Sequence, residues 1–309
     1  MVTSIADLAL EAYFTDTRAR VDLVLERWSA TAEAFWPAPV PAAVQYSVLS
    51  SGKRLRPTLV FASYEALGGN DPTSAGIAEL AAAVEVVHAY SLVHDDLPCM
   101  DNDDLRRGRP TVHRAFDVRA ATSAGFHMVG LAARVLASGL ATLPMERDRR
   151  RAIALELFRA AGAGGMIGGQ VLDLEAEGSA ISIDALREVH QRKTGALIAT
   201  ACVIGGLAAG GGAPAVHLAA LRAYGEAIGL AFQIADDILD ATATSAQLGK
   251  TAGRDAALAK STFVSILGVG AARAEAERLA AQAVDRLRQA ALVSPTLVAL
   301  ANYIVTRTN

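Results

Sequence analysis

The chain has 309 residues, 52% hydrophobic and 20% charged, enough to bury a large core. Its formal net charge of −3 argues against general nucleic-acid binding. Its two cysteines, Cys99 and Cys202, exclude a disulfide framework and a zinc site of the Cys₄ or Cys/His type, and fit a reducing cytoplasm.

The sequence predicts helices almost throughout. Ala, Leu, Arg and Glu dominate, and alternating β-branched segments are scarce. Breaks fall at Pro37 to Pro41, Gly68 to Pro72, Gly108-Arg109-Pro110, Gly178-Ser179, Gly210 to Pro214 and Ser294-Pro295. The expected architecture is a single-domain all-α bundle of roughly ten or more helices over residues 1–309. Residues 1–41 form its N-terminal helical segment and 42–305 its core. The N-terminus lacks the basic start and apolar run of a signal peptide, so the expected location is cytoplasmic. Tyr13, Phe14, Leu23, Leu25 and Trp28 then mark an amphipathic helix that covers either a partner subunit or its own core.

Ser51-Gly52-Lys53-Arg54-Leu55-Arg56-Pro57 sets three cations beside a turn-like glycine. An apolar helix follows and runs into Asp95-Asp96-Leu97-Pro98-Cys99-Met100-Asp101. Asp95 and Asp101 are six apart and would sit on opposite faces of a straight helix. Pro98 favours a break there, so Asp101 can reach back toward Asp95. Cys99 fills a turn position. Arg106, Arg107 and Arg109 come next, and arginine matches phosphate oxygens with a bidentate fork. The glycine and terminal glutamate of a calcium loop are missing at their offsets.

Gly162 to Gly169 lacks the Lys-Ser/Thr of a phosphate loop and reads as a place of close helix approach, with Gln170 and Asp173 facing a cavity. Ser182 is the expected N-cap of the next helix, with Asp184 in its first turn. Lys193-Thr194-Gly195 interrupts an apolar stretch. From Thr194 to Leu221 no Asp, Glu, Lys or Arg occurs, but Gly210 to Pro214 breaks the run, which reads as a buried helix, a turn and a second helix start. The second acid cluster is Asp236-Asp237-Ile238-Leu239-Asp240, in which Asp236 and Asp240 share a helix face and Gln233 and Asp237 lie alongside. Lys250 and Lys260 follow it. Two oxygen-rich clusters on apolar segments call for hard divalent cations, and Mg²⁺ is commonly shared between carboxylates and substrate phosphates.

This ordered set resembles that of the trans-isoprenyl diphosphate synthases, the polyprenyl synthetase family. The resemblance covers roughly residues 42 to 305 and rests on Gly52 to Pro57, His94-Asp95-Asp96 through Gly108, Gly169-Gln170 with Asp173, Lys193-Thr194, Phe232-Gln233 with Asp236, Asp237 and Asp240, and Leu248-Gly249-Lys250. The two-residue insertion between the first acids resembles the bacterial farnesyl-type pattern. The resemblance implies an all-α fold around a central cavity, a homodimer with no membrane span, and three Mg²⁺ ions, with Mn²⁺ as a substitute. It implies isopentenyl diphosphate as one substrate and dimethylallyl or geranyl diphosphate as the other, with farnesyl diphosphate as main product.

Residue by residue, it makes Asp95, Asp101, Asp236 and Asp240 metal ligands, with Asp96 a direct or water-mediated contributor. Arg106, Lys193 and Lys250 would hold the allylic diphosphate, with Lys260 nearby. Gly52, Lys53, Arg56, His88 and Arg107 would hold isopentenyl diphosphate. Lys193, Thr194 and Gln233 are the catalytic set, turning oxygen dipoles toward developing positive charge. Ser51, Ala259 and Phe263-Val264 depart from the family's usual Gly, Gly and Tyr-Pro, which bears on Lys260 and leaves the acids untouched. Tyr90, five residues before Asp95 and so roughly 7.5 Å along the helix, is the expected cavity floor, with Ser91 beside it. Alternative readings are a geranyl or geranylgeranyl diphosphate synthase, or a silent modulatory subunit, which would carry a damaged acid motif. A terpene cyclase would need a different second motif.

Overall fold

A computed structural model describes residues 5–69, 71, 74–210, 212–242 and 260–307. In chain order it runs through α1 (Ile5–Ala30), a 3-10 turn (Thr31–Ala34), α2 (Val40–Val48), α3 (Leu55–Ala66) and α4 (Ala75–Asp95). A small ribbon of β1 (Leu105–Arg106) and β2 (Arg109–Pro110) precedes α5 (Val112–Ala115), α6 (Val118–Thr142), α7 (Arg147–Ala161), α8 (Met166–Glu175) and α9 (Ile183–His190). A π-helical turn (Gln191–Gly195) leads into α10 (Ala196–Ala208) and α11 (Ala215–Thr242). Last come α12 (Phe263–Leu267), α13 (Val269–Gln289) and α14 (Pro295–Thr306).

The all-α expectation holds. Among the described residues the antiparallel ribbon, pairing Leu105 with Pro110 and Arg106 with Arg109, is the only sheet. Its two-residue turn has Arg107 at φ +54° and Gly108 at φ +74°, the positive pair that a tight hairpin requires. Short polar side chains start several helices. Asp117 accepts from the Ala120 N–H at 2.7 Å, and Ser182 accepts from Ala185, as its sequence position predicts. The uncharged run after Thr194 divides into the π turn, the 13-residue α10 and the start of α11, with Gly210 at φ +77° between the helices. α10 is too short to span a bilayer. α4 and α6 are long and apolar enough to do so, and 83% and 50% of their apolar windows are buried in the protein.

The chain forms two compact units. Glu11–Phe61 with Asp71–Met145 make one, called here the α4 unit; Met1–Leu10, Ala62–Asn70 and Glu146–Asn309 make the other, the α11 unit. In the α4 unit, α4 packs along α6, burying Leu80, Val84 and Val87 and, from α6, Met128, Leu131 and Val135. Each such side chain contributes roughly 1.5–3 kcal/mol on burial. Buried Glu79 on α4 accepts from Arg27, from Trp28 Nε1 and from Ser138 Oγ, tying α1 and α6 to α4. In the α11 unit, α11 packs against α10 and α13, and the Tyr224 hydroxyl donates to the Leu297 carbonyl at 2.6 Å. Ile234 and Ile238 bury one side of α11, which fixes the orientation of the acids beside them.

Candidate active site

α4 ends at the first acid cluster. The Leu97 N–H donates to the His94 carbonyl, the Met100 and Asn102 N–H groups donate to Leu97, and the Asp101 N–H returns to the Asp95 carbonyl at 2.9 Å. Asn102, at φ +49°, leads the chain out of the turn. The insertion around Pro98 therefore closes a loop that brings Asp101 back to Asp95, as the proline predicts, and both residues are half-buried. Asp96 is turned the other way. It is buried, and its two oxygens accept from Arg106 Nε and Nη2 at 2.6–3.0 Å. Burial pushes its carboxyl pKa up, against the pull of Arg106. Arg106 Nη2 also reaches Asp103 at 3.3 Å.

The cations expected to bind isopentenyl diphosphate gather in the same unit. Gly52 lies against the guanidinium of Arg107, where an added Cβ would sit 2.6 Å from Nη1. Arg107 Nη1 donates to the Ser51 carbonyl at 2.9 Å. His88 is held well below the usual imidazole range, by burial first and then by the charges of Arg56, Arg107, Arg106 and Arg54. Those arginines repel a proton on His88, which is the electrostatics of an anion site. A small open cleft is bounded by Tyr46, Arg54, Glu85, His88, Arg106 and Arg107. Lys53 is exposed and Arg56 is buried. The third cation of the Lys53–Arg56 run has a different role: Arg54 is 4% exposed and donates to Asp22, Glu85 and the Val48 carbonyl.

Tyr90 is 7% exposed and packs edge-on against His94, with ring centroids 5.7 Å apart. Its neighbour Ser91 donates to the His88 carbonyl, satisfying its own hydroxyl within α4.

In the α11 unit the π turn sets Lys193 and Thr194 side by side. Glycine lets neighbouring helices approach this π turn closely: a Cβ on Gly169 would lie 2.1 Å from the Lys193 nitrogen, and one on Gly229 would lie 2.7 Å from the Gly195 Cα. The close approach read from Gly162 to Gly169 is thus realised at Gly169. Thr194 Oγ1 donates to Gln233 Oε1 at 2.8 Å, joining two of the three predicted catalytic residues. Lys193 Nζ donates to Asp173 Oδ2 at 2.7 Å, and Lys260 Nζ lies 3.4 Å from the same oxygen. Burial would raise the Asp173 pKa, but Lys193 and Lys260 outweigh it and hold the carboxyl below its usual range. Lys250 lies outside the described residues.

Asp236 is 39% exposed and pairs with Arg307 Nη2 at 2.6 Å; that guanidinium also covers the Phe232 ring at 3.9 Å. Asp240 is buried on the same α11 face. Asp237 is buried and accepts from the Phe263 N–H at 2.8 Å. Asp173, Asp237 and Arg307 are functional neighbours that sequence reasoning left without a role. Asp173 had a signal, three residues after Gln170 on one helix; a terminal arginine such as Arg307 has none. Gln170 is 7% exposed, and among the described residues its amide has no hydrogen-bond partner.

Among the described residues no three His, Cys, Asp or Glu side chains form a closed metal cage. Mg²⁺ keeps several waters and takes one or two carboxylates plus phosphate oxygens. The all-oxygen donors of Asp95, Asp101, Asp236 and Asp240 fit that ion, and equally Mn²⁺.

A helical fold with two acid clusters, a folded-back first cluster and arginines ranged behind it defines the class. The polyprenyl synthetase family profile matches residues 38–296, and the chain belongs to that family. It is 46% identical over 277 residues to farnesyl diphosphate synthase of Escherichia coli strain K12, covering 88% of this chain and 91% of that one. It is 41% identical to the large subunit 1 of a heterodimeric geranylgeranyl pyrophosphate synthase of Arabidopsis thaliana, over 88% of this chain and 73% of that protein. The crystal structure of a Helicobacter pylori geranyltransferase complexed with magnesium and isoprenyl diphosphate superposes with TM-score 0.78 at 30% identity, covering 98% of this chain and 97% of that one.

Proposed function

We propose that the chain is a Mg²⁺-dependent short-chain trans-prenyltransferase. It joins isopentenyl diphosphate to dimethylallyl or geranyl diphosphate, with farnesyl diphosphate as main product. The observation that carries this reading is the gathering of Gly52, Arg56, His88, Arg106 and Arg107 in the unit whose acid turn returns Asp101 to Asp95.

In this reading Asp95, Asp101, Asp236 and Asp240 hold the metal. When bound, Mg²⁺ supplies positive charge that neutralises the departing diphosphate. Arg106 uses Nε and Nη2 on Asp96, leaving Nη1 for an allylic phosphate oxygen; Lys193, Lys260 and Lys250 add charge. The allylic C–O bond breaks, and the diphosphate leaves with the electron pair. Arg56, His88 and Arg107 hold isopentenyl diphosphate by its own diphosphate, with Gly52 and Lys53 beside them. Its double bond attacks the allylic carbocation. The Thr194 hydroxyl donates a hydrogen bond to Gln233, so its lone pairs can face the positive charge, and these fixed dipoles need no reorganisation as it develops. A proton then leaves the new cation for the diphosphate. Pairing with carboxylates holds the cations in place before substrate arrives.

Exposed Val118, Phe126 and Val129 on α6 support a homodimer, which we place in the cytoplasm with no membrane span and no nucleic-acid partner. The test is incubation with isopentenyl diphosphate, either primer and Mg²⁺, followed by chromatography. A C15 product is expected. A C20 product would favour the geranylgeranyl reading, which the Arabidopsis relative supports, and no diphosphate release would refute the synthase reading.

A further inference from the structure

We propose that Asp237, the middle acid of the second cluster, is a positioning residue and not a metal ligand: it anchors the main chain at Phe263 and thereby sets Lys260 beside Lys193. This rests on reading the two lysines as diphosphate ligands, as above.

Three observations carry it. The first is burial. Asp236 is 39% exposed on the side chain, whereas Asp237 is 6% exposed. One residue further along a helix points about 100° away, so Asp237 leaves the face shared by Asp236 and Asp240. Its Oδ2 receives the Phe263 N–H at 2.8 Å and lies 3.8 Å from His190 Nε2. The Phe263 ring is fully buried and stacks on His190, with centroids 5.8 Å apart and planes 22° apart. The carboxylate is therefore buried between the start of α12 and the His190 imidazole, and its Oδ2 is already committed.

The second observation is what the anchor holds. Phe263 opens α12, and the Thr262 hydroxyl and Ser265 close a reciprocal capping box around it. Ser261 Oγ accepts from the Ile181 N–H and donates to the Ser179 carbonyl, each at 3.3 Å. Every residue from Ser261 to Phe263 is thus fixed, and none of them carries charge. The chain is pinned just after Lys260.

The third observation is where the pinning delivers Lys260. Its Nζ lies 3.4 Å from Asp173 Oδ2 and 3.5 Å from Glu177 Oε1, while Lys193 Nζ is 2.7 Å from the same Asp173 oxygen. Two ammonium groups share one carboxylate oxygen. A flexible lysine side chain loses much entropy when held in one place, so a fixed backbone beneath it lowers the cost of binding an anion. The substitutions Phe263-Val264 for Tyr-Pro leave this device intact, because it uses the backbone N–H of residue 263 and a buried ring.

The acid's chemistry separates anchor from ligand. Asparagine keeps an oxygen that can accept from the Phe263 N–H but is a poor substitute for a carboxylate on Mg²⁺. The test compares D237N, D237A and K260A with the full-length wild type. Hydrogen exchange at the Phe263 amide and calorimetric binding of inorganic pyrophosphate with Mg²⁺ need no turnover; KM and kcat for geranyl diphosphate and the Mg²⁺ half-saturation complete it.

In D237A the Phe263 amide should exchange at least tenfold faster, and pyrophosphate binding and KM should each weaken about tenfold, with kcat within about threefold. K260A should weaken pyrophosphate binding to the same degree and leave Phe263 protected. D237N should keep amide protection, pyrophosphate affinity and Mg²⁺ half-saturation within about twofold. If D237N raises the Mg²⁺ half-saturation tenfold, Asp237 is a ligand and the proposal is overturned. It is equally overturned if D237A leaves Phe263 protected. Should D237A fail to fold, D237N against K260A still decides. A wild type that forms no prenyl product would instead count against the synthase reading, since exchange at Phe263 reports the anchor independently.

Discussion

Replacing Arg54 by methionine isolates the structural arginine of the Lys53–Arg56 run. Arg54 and Glu85 have side chains 3% and 4% exposed and pair at 2.8 Å, whereas Asp22, the other partner, is 36% exposed. Burial alone would lower the Arg54 pKa, but Glu85 and Asp22 reverse this and raise it, so the guanidinium stays charged. Removing one partner of a buried pair costs roughly 3–5 kcal/mol, because the remaining charge is stranded. The more exposed Asp22 pair adds about 0.2–1 kcal/mol. R54M should therefore lose about 4 kcal/mol, a large share of the roughly 5–15 kcal/mol of a typical domain. The measurement is denaturant unfolding of R54M, E85M and the R54M/E85M double variant. The double should recover to within about 1–2 kcal/mol of wild type, since two apolar side chains replace the pair without leaving a charge. A loss below about 1 kcal/mol in R54M would refute the argument, as would a double variant showing the sum of the single losses.

Three further outcomes are expected. R307L frees Asp236 from a guanidinium that must otherwise yield to the metal; a part-exposed pair contributes about 0.5–1 kcal/mol, so the Mg²⁺ half-saturation should fall about two- to fivefold, and an unchanged titration would remove Arg307 as a competitor. D173N bears on pH. The folded-state pKa of Asp173 is depressed, so its stabilisation is full above the ordinary carboxylate range and lost as pH falls through the depressed value. Unfolding free energies of D173N and wild type should therefore differ at neutral pH and converge in acid; a difference surviving at the lowest pH would contradict this. Y90A should lengthen the product, because it opens the α4 face one turn below Asp95. A product spectrum identical to wild type would remove Tyr90 as the floor.

Much of the fold and of the first site was legible because it depends on local chemistry. Helix periodicity and caps such as Ser182 act over a few residues, and the Pro98 insertion forces a turn wherever Asp95 and Asp101 lie six apart. The division of labour among like charges was not legible. Lys53, Arg54 and Arg56 look equivalent in sequence, yet Arg54 is drawn inward by part-exposed Asp22 and buried Glu85, 32 and 31 residues away. Asp236 and Asp237 are adjacent and chemically identical, and the helix rotation between them decides which meets Arg307 and which meets the Phe263 backbone. Such assignments depend on long-range packing, which no local pattern encodes.

The same packing changes how substitutions in these clusters should be read. Asp96 steadies Arg106, Asp173 steadies Lys193 and Lys260, and Asp237 steadies the chain behind Lys260. Asp96 and Asp237 adjoin proposed metal ligands and Asp173 lies between two proposed diphosphate-binding lysines, and alanine at any of the three would weaken diphosphate binding. An activity assay alone would record that loss as a lost ligand. A carboxylate that anchors a backbone N–H separates from one that holds charge, whether metal or lysine, when the amide variant is compared with alanine. An amide keeps a hydrogen-bond acceptor and loses the charge, so an anchor to a backbone N–H such as Asp237 tolerates it. A ligand to Mg²⁺, or a partner to two lysines such as Asp173, does not.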